Sequence, residues 1–118
     1  MNPVSRTEAV DLARATVTAA DPLAAAVEVA VCPPFPWLVP VAEAIAGSTV
    51  GLGAQDCHWL ASGAHTGDVS SAMLAGWCGW VILGHSERRN NHGETDADVA
   101  RKLKAAREVG LGVIDHRR

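Results

Sequence analysis

No apolar run in this chain approaches the roughly 18 residues that a bilayer crossing needs. Stretches such as Trp80 to Leu83 fall far short, and a membrane-spanning helix is excluded. An excess of positive charge is missing too. Lys+Arg number 10 against 13 Asp+Glu, for a formal net charge of −3, which leaves no overall field to collect a nucleic-acid backbone. The N-terminal Met-Asn-Pro-Val-Ser-Arg lacks the basic start and apolar core of a secretory signal, and so implies a cytoplasmic protein. Cysteines are few. Cys32, Cys57 and Cys78 cannot all pair within one chain and none stands in a Cys-x-x-Cys arrangement, so they read as reduced thiols. Cys57, His58 and His65 offer donor atoms, but no second Cys/His pair completes a tetrahedral set, and the spacing predicts no metal site. No GxGxxG or GxxxxGK[ST] run points to a dinucleotide or a P-loop nucleotide. At 118 residues the chain is also too short for a large α/β barrel, which needs about 250.

What is present alternates. Ser5-Arg6-Thr7-Glu8 fits a capping box, and Ala9, Leu12, Ala13, Thr16, Val17 and Ala20 recur at helical spacing until Asp21-Pro22. Val27 to Val31 is β-branched and short, which predicts a strand ended by Pro33-Pro34-Phe35-Pro36. Helical spacing returns over Leu38 to Ala46, with Gly47 as terminator, and a second strand is expected over Thr49 to Gly53. From Ala54 to Ser70 the chain is polar, rich in glycine and histidine and without clear period, longer than an ordinary connection. A short helix near Ser70 to Leu74 leads into Trp80-Val81-Ile82-Leu83, a run suited to a strand buried on both faces of a parallel sheet. A last helix starts near Thr95 with Asp96 and Asp98 in its first turn. It buries Val99, Leu103 and Ala106 and turns Arg101, Lys102, Lys104 and Arg107 to water. Gly110 ends it before a strand over Leu111 to Ile114. The order is α/β with parallel crossovers, which suits a small doubly wound sheet or part of a (β/α)8 barrel.

In parallel α/β folds ligands bind at the carboxyl ends of the strands. There Leu83 gives way to Gly84-His85-Ser86-Glu87-Arg88-Arg89. A solvated charged turn is the ordinary reading of an arbitrary His-x-Glu, but the buried strand before it favours function. A histidine at a helix N-terminus is held neutral by the dipole and can donate to a developing oxyanion.

Trp80 to Arg89, with Gly93-Glu94-Thr95-Asp96 behind, resembles the strand-four signature of the triosephosphate isomerase family. Val31-Cys32-Pro33-Pro34-Phe35 is similar to that family's second strand and loop. Gly53-Ala54-Gln55-Asp56 and Ser62-Gly63-Ala64-His65-Thr66-Gly67-Asp68 are similar to its third loop. The matches run in the family's order over nearly the whole chain. The resemblance implies a TIM barrel that interconverts dihydroxyacetone phosphate and glyceraldehyde 3-phosphate, a step of glycolysis and gluconeogenesis, through an enediolate and without a cofactor. It implies the mechanism known for that enzyme, a glutamate base with a neutral histidine electrophile. His85 would be that electrophile. Glu87 would be the supporting carboxylate that interacts with the catalytic lysine, and Ser86 would open the following helix and support the histidine tautomer. Arg88 and Arg89 would be structural or interface residues. The third loop would enter a pocket of the neighbouring subunit of a homodimer, with Thr66 and Gly67 near its tip.

Parts of the family's site are not found in these residues. The Asn-x-Lys of strand one is absent, and Met1-Asn2 matches a pair that commonly follows that lysine. The glutamate base after strand six and the phosphate-binding glycines of strands seven and eight are absent as well. Gly112-Val113-Ile114-Asp115-His116-Arg117-Arg118 departs from the family's strand five, as after a frameshift or early stop, and Gly76-Trp77-Cys78-Gly79 is one residue shorter than the usual connection. Residues 1–118 are therefore expected to form one incomplete barrel unit, from helix one to the start of strand five, inactive by itself. The competing reading is a non-catalytic fragment that at most associates with full-length subunits. An open doubly wound binding domain fits less well, since it usually carries a glycine-rich phosphate loop after its first strand.

Overall fold

Capping chemistry sets the helix starts in the computed structural model, which describes residues 1–116. Helix α1 (Arg6–Ala20) opens at Ser5, whose hydroxyl accepts the Glu8 N–H at 3.2 Å, and buries Ala9, Ala13 and Ala20. Small alanines on that face let α1 lie close against α2 (Leu38–Ile45), which buries Leu38, Val41 and Ile45. The Trp37 indole N–H donates to the Pro3 carbonyl at 3.1 Å and ties the N-terminal segment to the start of α2. Helix α3 (Ser71–Leu74) is a single turn capped by Ser70. Helix α4 (Ser86–His92) begins at His85 and ends at Gly93, whose φ of +65° is the left-handed value that favours glycine. Helix α5 (Asp96–Glu108) carries a reciprocal capping box between Thr95 and Asp98.

Among the described residues four strands alternate with these helices: β1 (Ala30–Val31), β2 (Gly51–Ala54), β3 (Trp80–Leu83) and β4 (Gly112–Asp115). Every pairing is parallel, and the spatial order β1-β2-β3-β4 is the order of the chain. Sequence patterning left a doubly wound sheet and a barrel segment both open, and this order separates them. A doubly wound sheet reverses its strand order at a switch point, whereas a barrel wall advances one strand at a time. The described residues form a partial α/β TIM-barrel fold.

The first strand is shorter than the run Val27 to Val31 predicted. Its one neighbour among the described residues, β2, begins at Gly51, which pairs with Ala30, and the Gly51 N–H still reaches the Val29 carbonyl at 2.9 Å. Val27 and Glu28 lie beyond that ladder and are exposed. The second strand likewise starts two residues later than expected, because Ser48 closes a turn on Ile45 and its hydroxyl accepts the Val50 N–H.

The two faces of the sheet differ. Val81 and Leu83 are fully buried on the side covered by the helices. On the other side Trp80 stands between two glycines, Gly53 on β2 and Gly112 on β4. A Cβ at Gly112 would lie 2.5 Å from the Trp80 ring, so glycine is what lets the indole lie across the sheet. Ile82 and Ile114 share that face, and Ile114 remains 41% exposed.

Candidate functional site

The carboxyl ends of the strands converge on a cleft of about 510 Å³ bordered by Asn2, Cys32, Gln55, Ile82, His85 and Arg88. Gln55, just past β2, fixes one wall. Its side-chain N–H donates to the carbonyls of Met1 at 2.7 Å and Cys32 at 3.0 Å, joining the N-terminus to the ends of β1 and β2. Burial pushes the Cys32 thiol up from its ordinary pKa, with the N-terminal ammonium acting weakly the other way, so the thiol form faces the cleft at neutral pH.

His85 reaches the cleft because Gly84 turns the chain at the end of β3 with a φ of +69°, where a Cβ would crowd Arg89 and Val99. His85 is the N-cap of α4, and its Nδ1 accepts the backbone N–H of Glu87 at 3.2 Å. In the neutral ring that bond places the proton on Nε2, so His85 offers a donor from Nε2. The ring also stacks on His116, with centroids 4.5 Å apart. The orienting donor is thus the Glu87 amide, where sequence reasoning looked to Ser86. The Glu87 carboxylate is 80% exposed and stands 3.9 Å from Nδ1, beyond hydrogen-bond range.

Behind His85 lies a charge network centred on Lys102, Asp56, Glu94 and Arg88. Lys102 was expected on the wet face of its helix; instead its side chain is only 7% exposed. Its ammonium donates to Asp56 at 2.8 Å and to Glu94. Burial opposes the Lys102 charge, but the bonds to the two carboxylates and their charges outweigh it and hold the pKa above the ordinary lysine value. Arg88 Nε meets the other Asp56 oxygen at 2.9 Å. Asp56 follows β2, Arg88 lies on α4 and Lys102 on α5, so the network clamps the elements around the cleft. The signal was present in the sequence. Lys102 is three residues from Val99 and four from Ala106, on the stripe that α5 buries. Arg89 is occupied in the same way, donating to the Gly84 carbonyl at 2.9 Å and pairing with Asp96 at 2.6 Å.

Thr66 and Gly67 are far along the chain from His85, exposed on the connection between β2 and α3. That connection is pinned where it leaves and returns: the His58 N–H donates to the Val69 carbonyl at 2.8 Å and the Ser71 N–H to the His58 carbonyl at 3.2 Å. Within it the ligating atoms of His58, His65 and Asp68 lie within 4.8 Å of one another. Cys57 is buried and is not a member of this group, its thiol pushed up to about 12 by burial and by the Asp56 charge. No described helix is long and apolar enough to cross a membrane.

Residues 1–115 match the family model described as triosephosphate isomerase. The chain is 55% identical over 89 residues to the triosephosphate isomerase of Ruegeria pomeroyi, covering 75% of this chain and 36% of the relative. It is 54% identical over 85 residues to that of Gluconacetobacter diazotrophicus, covering 71% and 34%. Against the Bordetella pertussis enzyme the identity is 52% over 98 residues, covering 82% and 39%. The matched segment spans 34 to 39% of the length of these relatives.

Proposed function

The chain belongs to the triosephosphate isomerase family, and on that premise we propose that it supplies the histidine side of an active site interconverting dihydroxyacetone phosphate and glyceraldehyde 3-phosphate. The observation that carries this reading is the Glu87 N–H donated to His85 Nδ1 at 3.2 Å, which leaves Nε2 as a preset donor for an enediolate oxygen. A donor aimed at charge that develops only in the transition state is what such a reaction needs from a residue that is not the base. Glu87 contributes its amide to that arrangement, and its carboxylate is the group proposed to meet the family's lysine. The reaction is a step shared by glycolysis and gluconeogenesis, and the cytoplasm is the compartment proposed for it.

The 118 residues hold neither the family's Asn-x-Lys nor its glutamate-bearing segment. By themselves they are therefore proposed to be inactive, since proton abstraction and much of the charge stabilisation would be missing. In a coupled assay with glyceraldehyde 3-phosphate the chain is expected to give no turnover; turnover lost on His85→Gln would overturn that. The site is tested by grafting residues 1–115 onto the remainder of the Ruegeria pomeroyi relative. The chimera should isomerise, and His85→Gln should slow it by on the order of 10²-fold. Equal rates with either residue would sink the assignment.

A homodimer is the proposed assembly, built through the connection bearing Thr66 and Gly67. Support comes from a long loop whose tip is exposed while its two ends are hydrogen-bonded to each other. A non-catalytic piece that docks on full-length subunits would use the same loop, and an inactive chimera would favour it.

A further inference from the structure

We propose that the connection between β2 and α3 is a binding site for a borderline divalent transition ion, with Zn(II) as the reference, held by His58, His65 and Asp68. One donor atom from each residue lies within 4.8 Å of the others, a span that small side-chain movements close onto the 2.0 to 2.2 Å bonds typical of zinc with imidazole and carboxylate. Two imidazoles and one carboxylate form a donor set suited to zinc, cobalt or nickel and poorly suited to calcium or magnesium, which prefer all-oxygen shells.

The site is built into the backbone. His58 is bonded on both sides to the returning strand of the loop, through the Val69 carbonyl and the Ser71 N–H. The Asp68 N–H donates to the His65 carbonyl at 2.9 Å, closing a turn that brings those two residues together. The His58 ring is flanked by Trp59 and His65, with centroid separations of 4.4 and 4.3 Å.

His58 has a side chain only 13% exposed, and its Nε2 is enclosed without a hydrogen-bond partner. Its Nδ1 stands 3.6 Å from Asp68 Oδ2, outside hydrogen-bond range. Nδ1 is the nitrogen that faces Asp68, and an ion held between the two would bond it in place of the 3.6 Å gap. The 55% exposure of Asp68 leaves room for water to complete the coordination. Because the ligands bracket Thr66 and Gly67, a bound ion would also stiffen the tip of the loop.

The test is titration of the full 118-residue chain with Zn(II) against a chromophoric chelator, and with Co(II) followed by visible absorption. One ion per chain is expected, with affinity falling at least about tenfold in His65→Gln and in Asp68→Asn and unchanged in Cys57→Ala and His92→Gln. Histidine side-chain NMR of the unaltered chain gives a reading independent of variants: Zn(II) should shift His58 and His65 and leave His92 in place. No binding by the unaltered chain, binding untouched by both loop variants, or shifts confined to other histidines would each overturn the proposal.

Discussion

At the scale of single residues, the buried ion network is the feature with the largest consequence. Removing one partner of a buried pair leaves the other charge without compensation, so Lys102→Met should cost about 3–5 kcal/mol, enough to erase most of the stability of a small domain. Loss of the thermal transition followed by circular dichroism would register it; a transition moved by only a degree or two would refute the role given to Lys102. The pH dependence has a definite sign. A lysine whose folded pKa is raised contributes fully below its unfolded value, about 10.4, and that contribution disappears as pH rises through the higher folded value. Thermal stability should therefore hold through neutral pH as far as this group is concerned and fall in strong alkali. The thiols are also testable. Burial pushes Cys57 up to about 12 and Cys78 to about 11, so both should react slowly with a disulfide reagent at neutral pH and quickly once denaturant is added.

At the scale of elements, β3 and β4 depend on a glycine facing an indole. With 2.5 Å between an added Cβ and the Trp80 ring, Gly112→Ala has to displace a large side chain held between two strands. The expected loss is about 1–3 kcal/mol, read as a lower denaturation midpoint. Gly76→Ala, where nothing lies within 4 Å of the added carbon, serves as the comparison. Helix α5 depends on its cap in a different way. The Asp98 carboxyl sits below its ordinary pKa because it accepts the Thr95 backbone N–H and bonds the Thr95 side chain. Thr95→Ala should lower stability by about 1 kcal/mol. The Asp98 share of the cap is present above the unfolded carboxylate pKa of about 3.9 and is lost as pH falls through the lower folded value.

At the scale of the whole molecule, the sheet formed by the described residues has two edge strands, β1 and β4, and one face on which Ile114 is 41% exposed. Open parallel edges invite association, and a closed barrel normally removes them. Isolated, the chain is expected to unfold over a broad range and to aggregate with rising concentration. Sedimentation and calorimetry decide this, and a sharp cooperative transition from a soluble monomer would contradict it.

The sequence by itself determined the element types, the parallel character of the sheet and the position of His85, because each rests on local signals. Ser5 and Thr95 cap helices, β-branched runs form strands, and the Gly84-His85-Ser86-Glu87 turn follows the buried Trp80 to Leu83. It also carried the family resemblance. The family resemblance implied a barrel, and the strand order agrees; periodicity alone could not decide between a doubly wound sheet and a barrel wall, since both write the same alternation along the chain and differ only in which strands become neighbours. Burial of Lys102 was lost for a related reason: a helical period assigns a charged residue to water unless partners distant in the chain, here Asp56 and Glu94, are brought to it. The same holds for His58, His65 and Asp68, whose separation along the loop says little until the backbone pairing of His58 with Val69 and Ser71 folds them together. Long-range pairing creates those neighbourhoods, and only the tertiary structure contains it.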